Sequence, residues 1–133
     1  YYYSLASKQN HSGAQFNLGF IYSKGRYITR DIGKAIHYFS LASENNNSGA
    51  QYILGLIHFN GLFIARDINK AIQYFTLAAN QNDPEAQFYL GFIYSEGRYI
   101  TRDINKAINY LLLASKQNIP RAQFYLGYIY SEG

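Results

Sequence analysis

The sequence has no cysteine, no methionine, no tryptophan and no valine, and only two prolines. Without cysteine there is no disulfide framework and no thiolate chemistry. The commonest structural zinc sites are excluded with it. No stretch reaches the 18 or so apolar residues of a membrane span, so direct insertion into a bilayer is not expected. The first ten residues lack the charged start and continuous apolar stretch of a signal peptide. There is no long run of basic residues of the kind used by nucleic-acid tails. Charged residues are only 15%, with a formal net charge of +4. That balance favours solubility and an acidic partner over nucleic acid.

What is present is a dense apolar set, 48% of 133 residues, with 15 Tyr and 9 Phe. Such a chain is long enough and apolar enough to bury a core. Its strongest feature is self-similarity. Ala14-Gln15-Phe16-Asn17-Leu18-Gly19 returns as Ala50-Gln51-Tyr52-Ile53-Leu54-Gly55, then as Ala86-Gln87-Phe88-Tyr89-Leu90-Gly91, then as Ala122-Gln123-Phe124-Tyr125-Leu126-Gly127. The spacing is 36 each time, and residues 14–49 and 86–121 match at 25 of 36 positions. The chain therefore divides into repeats 14–49, 50–85 and 86–121, with partial units 1–13 and 122–133. Both ends break a unit and there is no initial methionine, so the chain reads as a section of something longer. The open ends are expected to favour self-association.

Each unit predicts two helices. Ala14, Leu18 and Ile21 fall on one face of the first, at spacings of four and three. Asp83-Pro84 supplies a capping carboxylate and a proline at the first helical position. Gly25, Gly61, Gly97 and Gly133 end it, as residues free to adopt the left-handed conformation. A short link follows, whose apolar residues (Ile64, Tyr99 and Ile100 among them) are expected to pin it to the helix pair. Asp31, Asp67 and Asp103 then cap the second helix. Its Ala35, Tyr38 and Ala42 share one face, and Ile32, Ile36 and Phe39 form a neighbouring stripe. Two apolar stripes on one helix suit a solenoid, where a helix faces its own partner and the next unit. The fold class is all-α: an α/α superhelix of the tetratricopeptide-like kind.

Gly19, Gly55, Gly91 and Gly127 sit inside the first helix, where glycine costs about 1 kcal/mol against alanine. Close helix approach is the expected reason, with Ala35 and Ala42 opposite. A phosphate loop is a poorer fit: the Gly-x-Gly-x-x-Gly spacing is absent and no strand precedes it.

The pattern Ala-x-x-x-Leu-Gly-x-x-Tyr-x-x-Gly, then Asp-x-x-Lys-Ala-x-x-Tyr-x-x-x-Ala, closely resembles Sel-1-like repeats. These are a branch of the tetratricopeptide-like repeats with a longer link; the 36 spacing favours them over the plain 34. The resemblance covers essentially the whole chain. It carries onto Ala14, Leu18, Gly19, Tyr22 and Gly25, and onto Asp31, Lys34, Ala35, Tyr38 and Ala42. The second unit departs at His58, where the others have tyrosine, and at Leu62-Phe63-Ile64-Ala65 in its link. The resemblance implies an adaptor or scaffold that assembles protein complexes, with a protein or peptide as partner. The alternative is a structural spacer fused to a catalytic domain such as a kinase.

No enzyme constellation emerges. His11, His37 and His58 occupy different places in the unit and form no metal motif. His58 is expected to pack as the tyrosine it replaces. The row Asp31, Asp67, Asp103 is explained by capping. No cofactor, metal site or catalytic residue is expected. Tyrosines beside Arg26, Arg30, Arg66, Arg98 and Arg102 suggest single-strand stacking, but the mild charge argues against a nucleic-acid partner. The triplets Asn10-His11-Ser12 and Asn46-Asn47-Ser48 are glycosylation acceptors only in a secreted protein. The compartment is left open, with the cytoplasm favoured. If core positions keep their identity between units, binding belongs to positions that drift. These are Asn17, Ile53, Tyr89 and Tyr125, together with Asn60 and the odd His58. Tyr89 and Tyr125 are the preferred anchors, against the simpler reading that they pack on the next unit.

Overall fold

A computed structural model describes residues 13, 15–19, 32–61 and 64–131. Expectations for His11, Ala14, Ile21, Tyr22, Gly25, Asp31, Leu62, Phe63, Gly133 and the link 26–30 lie outside these. Six helices follow in order: α1 (Ile32–Glu44), α2 (Ser48–Asn60), α3 (Ile68–Asn80), α4 (Pro84–Glu96), α5 (Ile104–Lys116) and α6 (Pro120–Ser131). Residues 15–19 are also helical, and no strand occurs among the described residues. Each helix packs on the next along the chain, and α4 also touches α6, the equivalent helix one unit on. This nearest-neighbour pattern is that of a solenoid.

Local chemistry sets the helix ends. Asp67 accepts from the Lys70 amide and Asp103 from the Lys106 amide, both at 3.1 Å. Asp83 accepts from the Ala86 amide at 3.0 Å, with Pro84 first in the helix. Asn47 does the same for Ala50 at 2.9 Å. Gly61 and Gly97 end α2 and α4 at φ 65° and 68°, where any Cβ would be strained. The first helix of a unit thus begins two residues earlier than the repeated Ala-Gln run suggests, at Ser48, Pro84 and Pro120. A unit boundary at Ala50 or Ala86 falls inside α2 or α4. The return turn from second to first helix uses Asn46, Asn82 and Asn118, all at positive φ between 63° and 70°, which asparagine tolerates better than most residues.

The core repeats with the sequence. Ala50, Leu54, Ala71, Ala78, Ala86, Leu90, Ala107, Ala114 and Ala122 are completely buried. Tyr99 and Ile100 pack the third link against this core, as expected. Gly19, Gly55 and Gly91 are sites of close approach, but the nearest side chain there is not the expected alanine. A Cβ on Gly19 would lie 2.6 Å from Phe39, and one on Gly55 the same distance from Phe75. One on Gly91 would meet Leu111 at 2.6 Å and the Ala107 carbonyl at 3.2 Å. The missing Cβ makes room for one large side chain of the paired helix, from the stripe that Phe39 occupies.

Candidate functional site

Several of the positions at which units differ on the first helices share one face. On α2 they include Gly49, Tyr52, Ile53, Leu56 and Asn60; on α4 Glu85, Phe88, Tyr89, Phe92 and Glu96. Arg121, Phe124, Tyr125 and Tyr128 continue the row on α6. The spacing i, i+3, i+4, i+7, i+11 puts each set on one helix face. The face is half-buried, because its rings interlock between units. Tyr89 stacks on Phe75 at 5.2 Å with a 9° interplanar angle and lies 6.0 Å from Tyr52. Tyr125 meets Phe88 at 5.8 Å and Phe92 at 5.5 Å.

A polar network crosses the row. Arg121 pairs with Glu85 one unit earlier. Its guanidinium also lies 4.5 Å from the Phe88 ring centroid, within cation–π range. Burial alone would lower the Arg121 pKa. The hydrogen bond and charge of Glu85 and the contact with Tyr89 outweigh it, and the pKa is raised. Burial, and then the neighbouring Tyr89 and Glu85, push the Tyr52 hydroxyl up to about 12. This hydroxyl therefore stays protonated and able to donate.

Of the expected contact residues, Asn17 and Asn60 are exposed and Ile53 is half-buried. Tyr89 and Tyr125 sit in the inter-unit stacks just described, each half-buried. His58 departs from the expected contact set. It is buried, with its ring stacked on Tyr74 at 5.7 Å and 7°. Tyr94 and Tyr110 make the same stack in the third unit, at 6.3 Å and 7°, so His58 packs as the tyrosine it replaces. Its Nδ1 is buried without a hydrogen-bond partner. Burial lowers its pKa, Lys70 lowers it further, and Asp67 opposes them.

Sequence reasoning missed one repeated feature. Gln15, Gln51 and Gln87 are each only 1% exposed. Asn45 Nδ2 donates to Gln15 Oε1 at 3.0 Å, Gln81 Nε2 to Gln51 Oε1 at 2.8 Å, and Gln117 Nε2 to Gln87 Oε1 at 3.0 Å. Gln51 and Gln87 in turn donate to the Ser43 and Ala79 carbonyls. An amide ladder thus ties α1 and α3 to the first helices on both sides, and α5 to α4. A buried amide must be paired in this way, and the fixed Gln after each repeated Ala was the available signal.

Among the described residues, no group of three or more His, Asp or Glu is placed to hold a metal ion. No described helix is long and apolar enough to cross a membrane.

The Sel1 repeat family matches at residues 12–47, 48–83, 84–119 and 120–133. Its period is the 36 of the sequence, and its units at 48, 84 and 120 begin where α2, α4 and α6 begin. Among solved structures, a Sel1 repeat protein from Oxalobacter formigenes is 33% identical, with a TM-score of 0.86, over 96% of this chain and 52% of that one. A protective antigen of uropathogenic Escherichia coli with an SLR fold is 29% identical, with a TM-score of 0.87, over 98% of this chain and 28% of that one. The chain therefore spans about half the first and under a third of the second. Cysteine rich protein B of Helicobacter pylori shares the fold at 23% identity and a TM-score of 0.69, covering 93% of this chain and 89% of that one. No curated protein matches the chain.

Proposed function

We propose that this chain, which belongs to the Sel1 repeat family, is a protein-binding scaffold segment. Sel1 repeat proteins are in general protein-interaction scaffolds, and the fold is typically non-catalytic. The observation that carries the reading is the single face shared by the drifting positions of α2, α4 and α6. Caps, core and the glutamine ladder account for most of the invariant residues. Variable positions of the first helices contribute a surface of aromatic rings, tyrosine hydroxyls and the Glu85–Arg121 pair. Large rings with a polar handle, on rigid helices, are what peptide recognition uses. The partner is a peptide or protein segment laid across the first helices.

A rigid spacer is the second reading. It is favoured by the way Tyr89 and Tyr125 are absorbed into inter-unit stacks. Panning a random-peptide display library on the native chain separates the two. Counter-selection uses a Tyr89→Phe/Arg121→Ala variant, which keeps the rings and removes the polar row. Peptides that bind the native chain saturably and the folded variant weakly support the scaffold. No enrichment, or equal binding to both, supports the spacer.

A further inference from the structure

Arginine recurs in the links between paired helices, at Arg66 in the second and at Arg98 and Arg102 in the third. Two of these meet at one ring. The Arg66 guanidinium lies 5.6 Å from the Tyr99 ring centroid and the Arg98 guanidinium 5.8 Å from it, both within cation–π range. Tyr99 is itself wedged against Phe59 at 5.1 Å and Phe92 at 6.4 Å. Arg66 is held further. It lies 5.9 Å from the Phe59 ring centroid, and its Nε donates to the Phe59 carbonyl at 2.9 Å. That bond uses one guanidinium donor and leaves the two Nη groups. Both arginines are exposed, and neither pairs with an acid among the described residues. Asp67 and Asp103 are committed to the Lys70 and Lys106 amides as caps. Glu96 ends α4, but the same place before Arg66 is the neutral Asn60. Two like charges drawn to one ring repel each other, and an anion between them would relieve this. In the 36-residue register, Arg102 is the residue that a following link would meet as Tyr99 meets Arg66. The Arg66–Tyr99–Arg98 cluster therefore lies between the second and third links.

We propose that Arg66 and Arg98 bind the carboxylates of an acidic segment of a partner peptide. A guanidinium fork matches a carboxylate in two parallel hydrogen bonds. Arg66 is already oriented by two rings and a carbonyl, so little side-chain freedom is left to lose on binding. The formal charge of +4 favours the approach of an acidic partner. A stacked nucleobase is a poorer fit, because the Tyr99 ring already carries two guanidiniums and the Phe59 contact. The pair belongs to one place in the chain: the counterpart of Arg98 in the second link is Leu62. Phe92, on the variable face of α4, reaches Tyr99, so a peptide crossing that face can run on to the cluster. The inference rests on the protein-binding reading above and names the charge that the partner carries.

The test is a titration of the isotope-labelled chain with N-acetyl-tetraglutamate amide, with the tetraglutamine peptide as control, followed by NMR. Saturable shifts at the Arg66 and Arg98 Nε–H signals are expected with the glutamate peptide alone, weakening as salt is added. The Arg66→Gln/Arg98→Gln variant is expected to bind at least about tenfold more weakly, with its helical circular dichroism unchanged. Should loss of the Phe59 bond unfold that variant, Arg98→Gln alone keeps the bond and is expected to weaken binding by a smaller factor. Absence of saturable shifts in the native chain overturns the proposal, as does unchanged binding by a folded variant. Equally tight binding of inorganic phosphate, or of oligothymidylate at matched charge, also overturns it, since the cluster would then be a general anion site. Display-selected peptides that keep their affinity for the double variant would overturn this proposal alone, leaving the scaffold reading standing. Glutamate-peptide binding without any selected peptide would support the cluster and count against the scaffold reading.

Discussion

Second and third units share their helix spans and left-handed positions and are filled differently. In the second, Phe59 closes the seat beside Tyr89, and His58 stacks on Tyr74. In the third, Ser95 stands in place of that ring and bonds to the Phe92 carbonyl, and Tyr94 stacks on Tyr110. Caps, αL glycines and the glutamine ladder are common to both. Repeat architecture allows this, because each unit answers only to its neighbours.

The comparison is broken most severely at Phe59. Phe59→Ala removes a ring packed on Phe75, Tyr89, Phe92 and Tyr99. It is expected to cost about 3–5 kcal/mol in chemical denaturation. Ser95→Ala is expected to change stability by no more than about 0.5 kcal/mol. Similar costs for the two would mean that the two positions are equally packed.

The paired glycines come next. Gly91→Val drives a side chain into Leu111 and toward the fixed Ala107 carbonyl, with an expected cost of about 1–3 kcal/mol. Gly55→Ala meets only the Phe75 ring, so it should cost less than Gly91→Ala. A Cβ added at Gly127 would meet nothing within 4 Å; Gly127→Ala is expected to stabilise by about 0.5–1 kcal/mol. Denaturation of the four variants orders them.

How much of this was legible in the sequence depends on how local each cause is. Caps at Asp67, Asp83 and Asp103 and the left-handed Gly61 and Gly97 are set within a few residues, and the sequence shows them directly. The need for glycine at 55 and 91 was legible, but not the residue facing it. Periodicity assigns a face, while the identity of Phe75 or Leu111 opposite depends on how two helices dock. The buried Gln51 and Gln87 were missed because a polar residue in an Asn-rich chain reads as surface until its partner is seen. Tyr89 and Tyr125 vary in type between units, yet both are half-buried. Variation there reflects rings that repack between units, so drift alone was a poor guide to exposure.

A smaller effect concerns pH. Burial first, and Lys70 second, hold the His58 pKa below the ordinary 6.5, against Asp67. The unfolded chain then binds a proton more readily than the folded one, so this group favours folding above 6.5. Its contribution is lost as pH falls from there through the folded-state value. His58→Tyr restores the stack of the third unit and is expected to flatten this acid limb. Tm measured between about pH 7.5 and 5 for both chains, a range that brackets the ordinary histidine value, checks it; identical slopes would remove His58 as the cause.

On the proposed scaffold reading, the partner lies on the face of α2, α4 and α6. The most direct test is an NMR map of a display-selected peptide on the labelled chain. Shifts are expected to gather at Glu85, Tyr89, Arg121 and Tyr125. The rival surface is the outer side of α3 and α5, where Leu77 and Leu113 are 46% and 43% exposed. Shifts confined to that side would contradict the account.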